Sequence, residues 1–169
     1  MHRMLTALTF ALAPLAANAE QIGTVTATVD GAEMTWYLAA ENGESQSFAM
    51  KAGGIPAYNI SVWANPEPDV LAALKGALVL DFIVPAAGGV AMAPGLQFFE
   101  NGYSGFWVAL DEGEISVALS GFEIAEDTIS VSGQFEATAA FTDDSSTLET
   151  DPNRTKSFSG AFEATLPLR

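Results

Sequence analysis

Two long segments near the end of the sequence, 128–142 and 157–168, alternate between apolar and polar residues. A period of two is typical of a β-strand with one face in a core and one in water. The segments carry nearly the same phrase, SGQFEAT ending at Thr138 and SGAFEAT ending at Thr165. In both copies the glycine and phenylalanine fall on the apolar face, so we expect each glycine to make room beside a packed ring. The repeated phrase therefore indicates a structural role in strand packing rather than an active site. Two copies are too few for a repeat array.

The remainder of the chain is typical of shorter strands separated by turn residues. Asp30-Gly31 and Asn101-Gly102 predict two-residue hairpin turns, because both pairs tolerate positive φ angles. Gly121 predicts a bulge, and prolines and acids followed by Lys75-Gly76 predict a short helix near 66–75. Strands are predicted at 23–29, 33–39, 47–51, 58–64, 77–84, 96–100, 103–110, 114–119 and 122–124.

These patterns together predict an all-β fold. About 8–10 strands with hairpin signals and at most one short helix favour an antiparallel β-sandwich, with a small closed β-barrel as the alternative. The strand at 77–84 is apolar on both faces apart from Asp81, which indicates an inner strand covered on both sides.

The beginning of the sequence predicts export. His2 and Arg3 precede an apolar run, and Ala17-Asn18-Ala19 supplies the small residues that signal peptidase accepts. We therefore expect a cleaved signal peptide at 1–19 and a single β-rich domain at 20–169, located in the periplasm or secreted. The apolar run is too short for a comfortable membrane anchor, and we expect no integral membrane segment after cleavage.

Cleavage at this position leaves a chain without histidine or cysteine. The remaining chain keeps all 21 acidic residues but loses Arg3, one of the six lysines and arginines. Its formal charge therefore falls from −15 to −16. Such a charge disfavours nucleic acids as partners, and the missing residue types disfavour zinc sites and the usual catalytic triads. No cofactor is expected. Calcium is the one metal with a candidate site, an acidic loop that offers oxygen ligands from Asp143, Asp144, Glu149 and Asp151.

The hairpin at 96–110 carries the candidate contact surface. With a two-residue turn, Phe98, Tyr103 and Trp107 share one face, while Phe99, Phe106, Val108 and Leu110 take the other. If the second set faces the core, the first forms an aromatic platform, which Trp63 extends. The alternative is that both faces of the hairpin are buried.

The leading functional prediction is therefore an exported, soluble, non-catalytic binding module of a bacterial cell envelope. Its expected partner is a protein or glycan, neutral or cationic because the surface is acidic. A β-barrel carrier of a small apolar ligand is one alternative, since inward glycines and alanines suit a hollow interior. A carboxylate-based glycoside hydrolase is another. An outer-membrane barrel is disfavoured by Glu136 and Glu163 on outward strand faces.

Overall fold

A computed structural model describes residues 19–70, 73–111 and 113–169. The described residues form strands joined by turns and bends. The strands are β1 Glu20–Val29, β2 Ala32–Glu41, β3 Glu44–Ser45, β4 Phe48–Lys51, β5 Ala57–Ala64, β6 Leu78–Pro85, β7 Met92–Phe98, β8 Glu100–Tyr103, β9 Phe106–Ala109, β10 Ile115–Ile124, β11 Thr128–Thr142 and β12 Asp151–Pro167.

Eleven of these strands form one antiparallel sheet that folds into two layers. The order is β3-β2-β1-β12-β11-β9-β7-β6-β5-β4, with β10 beside β11. We call β1, β2, β3, β10, β11 and β12 the first layer, and β4 to β7 with β9 the second layer. Strand β11 belongs to both, because it pairs with β10 over 129–137 and with β9 over 140–142.

The ends of the sheet approach one another without closing it. Single bridges join Tyr37 to Asn65 and Ala49 to Leu168, but no continuous ladder connects β2 with β5 or β4 with β12. The predicted all-β, sandwich-like fold is confirmed, and the sheet is not the closed barrel of the alternative. One large apolar cluster, which includes Trp36, Leu80 and Phe135, fills the space between the layers.

The repeated phrase holds the centre of the first layer together. Strands β11 and β12 pair so that Phe135 lies opposite Gly160 and Phe162 lies opposite Gly133. A Cβ atom on Gly160 would lie 2.5 Å from the Thr26 carbonyl oxygen and 2.9 Å from the Phe135 ring. A Cβ atom on Gly133 would lie 2.6 Å from the Ala118 carbonyl oxygen and 2.9 Å from the Phe162 ring. Each glycine therefore leaves space that the phenylalanine of the other copy occupies.

Several local predictions are confirmed, and others are wrong. The Asp30-Gly31 turn has the expected positive φ angles, 48° and 88°, and the register of β10 shifts at Gly121 as a bulge requires. None of the described residues of 66–75, which leave out 71 and 72, is helical, within the expectation of at most one short helix. Strand β12 begins at Asp151, earlier than predicted. The expected signal peptide lies outside the described residues, apart from Ala19, and stays a prediction.

No helix among the described residues is long and apolar enough to cross a membrane.

We expect Gly160→Ala to lower the free energy of unfolding by about 1–3 kcal/mol, because the added methyl group overpacks a site bounded by backbone and a phenylalanine ring. Gly53→Ala is the matched control, since nothing lies within 4 Å of its Cβ position and its φ is not in the left-handed region. Urea unfolding of the two variants measures the difference. Equal stability of both variants would show that the Gly–Phe pairs do not constrain the sheet.

Candidate functional site

The structure rearranges the predicted aromatic platform. Phe98 and Trp107 are buried in the main core, and only Tyr103 is exposed, at 67%. The prediction that Phe98 and Trp107 lie on a surface is therefore wrong. Alternation correctly groups Phe98 with Trp107 but not Tyr103, which contacts Phe99 on the other side. It also does not tell which face meets the core when both faces of the hairpin are covered.

The hairpin also has a different register from the one expected. Phe98 pairs with Trp107, so the connection between the paired positions runs over 99–106 instead of two residues. Gly105, expected opposite Phe98, has a φ of 148°, and a Cβ atom there would lie 2.6 Å from the Phe141 ring. The absence of a side chain at Gly105 thus leaves space that the Phe141 ring occupies.

Basic side chains cover the buried Trp107 at the edge of the core. The Lys156 Nζ lies 4.8 Å from the centre of the Trp107 ring and forms ion pairs with Glu100 and Asp30. The Trp107 Nε1 donates a hydrogen bond to Glu100 Oε2 at 3.0 Å. The Arg154 Cζ lies 3.4 Å from the centre of the adjacent Phe141 ring. These contacts shield the ring edge from water, so this cluster is structural.

Trp63 and Tyr103, the other two candidates, meet in a second cluster on the outer side of the second layer. Trp63 stacks on Phe99 at 6.1 Å, Phe99 stacks on Phe106 at 4.9 Å, and Tyr103 contacts Phe99 edge-on at 5.8 Å. Leu74 and Leu148 pack against the same cluster. The sequence alternative that both faces of the hairpin are buried is thus what the structure contains, with Tyr103 as the exposed ring.

The acidic loop does not gather its carboxylates around a cation site. Within the described residues, no group of three or more His, Cys, Asp or Glu side chains could hold a metal ion. Asp144 instead accepts hydrogen bonds from the backbone and hydroxyl groups of Ser146 and Thr147. These bonds, with the Ser146 hydroxyl contributing most, lower the pKa of Asp144 to about 2. The calcium candidate formed by Asp143, Asp144, Glu149 and Asp151 is therefore not supported, because the central carboxylate stabilises its own turn.

The outer faces of the two layers differ in chemistry. The outer face of the first layer is polar, as the alternation predicts, and includes a groove of about 540 Å³. One row of paired residues across this face consists of Glu33, Thr28, Ser159 and Glu136. Such a face is solvated and carries no large apolar side chain in this row.

The open part of the second layer's outer face carries apolar side chains together with the polar residues Asn59, Ser61, Asp81 and Gln97. We call it the Asp81 face, since one row of paired positions runs from Phe48 through Ser61 and Asp81 to Gly95. Leu110 leans over Gly95, with its Cδ2 atom 3.1 Å from the position of a Cβ on that glycine. The apolar side chains of the Asp81 face are Phe48, Met50, Ile83, Met92 and Leu110.

Three of these five side chains are exposed, while Phe48 and Ile83 are partly buried. Met50, Met92 and Leu110 are 43%, 41% and 43% exposed. Across the strands these side chains alternate with polar ones, since Asn59 lies between Met50 and Ile83, and Ser61 and Asp81 lie between Phe48 and Gly95. An accessible face that combines apolar and polar side chains is a candidate contact site.

Asp81 lies at the centre of this face as its one ionisable side chain. Burial raises the pKa of the Asp81 carboxyl above its ordinary value of 3.8, while a hydrogen bond with the Ser61 side chain lowers it by less. The ion pairs found among the described residues involve Lys156 and do not include Asp81. The carboxylate is thus half-buried beside Ser61 and Gly95, without a cationic partner from the described chain.

The sequence signal for this site is Asp81, a polar residue within an apolar strand, but the sequence did not predict the open face around it. Asp81 stood out as the polar exception in an apolar strand, but the strand was expected to be covered on both sides. Leu110 covers part of the face at Gly95, whereas Leu74 and Leu148 pack against the adjacent aromatic cluster. The lengths of the loops in the sequence do not indicate which part of the second layer's outer face each loop covers.

We expect Trp107→Ala to lower the free energy of unfolding by about 3–5 kcal/mol, the usual cost of removing a buried aromatic side chain. Tyr103→Ala should change it much less, because most of that ring is in water. Thermal unfolding of the two variants tests the assignment. A large loss in Tyr103→Ala, or none in Trp107→Ala, would contradict it.

We expect Asp81→Asn to raise the Tm at pH 7, because the folded state no longer holds a charge in apolar surroundings. The folded pKa lies above 3.8, so wild type loses stability as the pH rises from 3.8 through the folded pKa. The advantage of the variant should therefore shrink as the pH falls toward 3.8. Asp143→Asn removes an exposed charge as the control, and an equal pH-dependent gain there would contradict the role of burial.

Comparison of the chain with protein-family models, with curated proteins and with solved structures finds no match in any of the three. No family or relative therefore indicates what the Asp81 face binds.

Proposed function

We propose that this chain is an exported, non-catalytic interaction module that binds an apolar segment of another protein through the Asp81 face. The observation that carries the proposal is the accessibility of Met50, Met92 and Leu110 around one half-buried carboxylate. Flexible methionine side chains adapt to the shape of an apolar partner. Covering such side chains removes apolar area from water, which contributes roughly 25 cal/mol per Å².

The chemistry of the face favours a protein partner over a glycan. Sugars stack on exposed aromatic rings, and two rings of the predicted aromatic platform, Phe98 and Trp107, are buried. Tyr103 is exposed but belongs to the neighbouring cluster rather than to the Asp81 face. The aliphatic and thioether groups of the face suit the side chains of a peptide or a protein surface.

A second copy of the same chain is a poorer occupant than a different protein. The expected mature chain has a formal charge of −16, so two copies repel one another. A symmetric pairing through this face would also bring two half-buried Asp81 carboxylates together without a cation between them. Like charges in apolar surroundings are costly.

The alternative of a β-barrel carrier for a small apolar ligand is weakened, because it depended on a hollow interior. Inward glycines were expected to leave a hollow interior, but the space beside Gly133 and Gly160 is taken by the rings of Phe162 and Phe135. The sheet is also open rather than closed into a barrel. An interaction at the outer face requires no interior cavity.

The export and non-catalytic parts of the proposal rest on the sequence. The first 19 residues have the pattern of a signal peptide. The chain that follows contains no histidine or cysteine, the residues on which most nucleophilic catalysis depends.

The test compares a double variant, Met92→Ser with Leu110→Ser, with a matched control. Ile124→Ser changes a side chain of similar exposure, 44%, at the end of β10 in the first layer. Immobilised wild-type protein captures partners from an envelope extract of the native host, and affinities for the recovered protein are then measured in purified form. We expect the double variant to lose at least ten-fold in affinity, while Ile124→Ser and the Tm values stay close to wild type.

Two results would overturn the proposal. Equal affinity of the double variant and wild type for the recovered protein would place the contact surface elsewhere. Equal loss in Ile124→Ser would show that general surface hydrophobicity, rather than the Asp81 face, accounts for binding.

A further inference from the structure

We propose that the Asp81 face recognises an organic ammonium or guanidinium group, so that its partner presents a lysine or arginine side chain among apolar residues. This inference rests on the proposed function and names the chemistry that the same surface selects. The ligand class is an alkyl stem that ends in a positive charge.

The geometry places one acceptor where an apolar ligand would lie. Asp81 is flanked along its row by Ser61 on β5 and by Gly95 on β7. The Ser61 hydroxyl takes up one hydrogen-bonding position, and an ionised carboxylate has about four acceptor positions. Gly95 offers no side chain that could pair with the rest, and Leu110 supplies an apolar wall beside it. The positions that Ser61 does not take up are available to a donor from a ligand.

Three of the five described basic side chains, Arg154, Lys156 and Arg169, contact other groups. Lys156 pairs with Asp30 and Glu100, and Arg154 lies over the Phe141 ring. Arg169 lies at the rim of the Asp81 face, with its Cζ 4.6 Å from the centre of the Phe48 ring, and its Nη2 donates to the Ser45 carbonyl oxygen. No ion pair within 4 Å joins a described base to Asp81.

A positive ligand offsets an unfavourable feature of the free protein. A half-buried carboxylate without a cationic partner opposes folding, because the charged form loses hydration. A cation at this position restores favourable electrostatics and shifts the Asp81 pKa back down. The methylene groups of a lysine or arginine side chain lie along apolar surface while the charged end finds its partner. The negative charge of the whole chain also raises the association rate of a cationic ligand.

The experiment uses two small probes of equal length, hexylammonium and 1-hexanol. NMR titrations at pH 7 follow the methyl signals of Ile83, Met92 and Leu110 in the folded protein. We expect hexylammonium to bind at least ten-fold more tightly than hexanol. Asp81→Asn should remove this preference while leaving hexanol binding unchanged.

Asp143→Asn is the matched control, since it removes the same charge from an exposed position in the 143–150 loop. It should keep the preference for hexylammonium, because a general attraction of cations to an acidic protein does not depend on Asp81. Loss of the preference in Asp143→Asn to the same degree would overturn the proposal.

The remaining outcomes separate this inference from the proposed function. Equal binding of both probes to the same methyl groups would overturn cation recognition and support an apolar contact surface. If neither probe perturbs these methyl groups, the inference is overturned, and the capture experiment with Met92→Ser and Leu110→Ser decides the proposed function independently.

Discussion

The contact on which the rest of the structure depends is the reciprocal packing of two phenylalanine rings on two glycines at the centre of the first layer. Phe135 covers Gly160, and Phe162 covers Gly133. Glycine weakens a strand when it stands alone, because it has no side chain to pack. An aromatic ring from the neighbouring strand compensates for that loss. Strand β11 then continues past this centre to pair with β9, so the same strand also positions the second layer.

Much of this fold could be predicted from the sequence, since it follows from local patterns. Alternation located the long strands, Asp30-Gly31 located a tight turn, and Gly121 located a bulge. The antiparallel pairing of the two copies of the phrase was not predicted, although both copies were found. Pairing depends on residues distant along the chain, and the periodicity of a single strand carries no information about its neighbour.

The candidate site was less accessible to sequence reasoning for a related reason. Phe98 and Trp107 were grouped correctly on one face of the hairpin, but that face meets the core. The opposite face carries a second apolar cluster, so both faces look equally core-like in the sequence. Asp81 was noticed as an exception, yet its exposure depends on which loops cross the outer surface. Sequence patterns therefore constrained the strands more strongly than they constrained what covers them.

The Gly–Phe pairs have a consequence for how the two longest strands find each other during folding. A slip of one residue would turn apolar side chains toward water, but a slip of two residues keeps every side chain on its proper face. A two-residue slip in one direction would set Phe135 against Phe162, leaving both glycines without a ring. A slip in the other direction would set Gly133 against Gly160, with a void where two rings belong. The near-identical phrases thus favour one register of the two strands, because only this register places a phenylalanine ring beside each glycine.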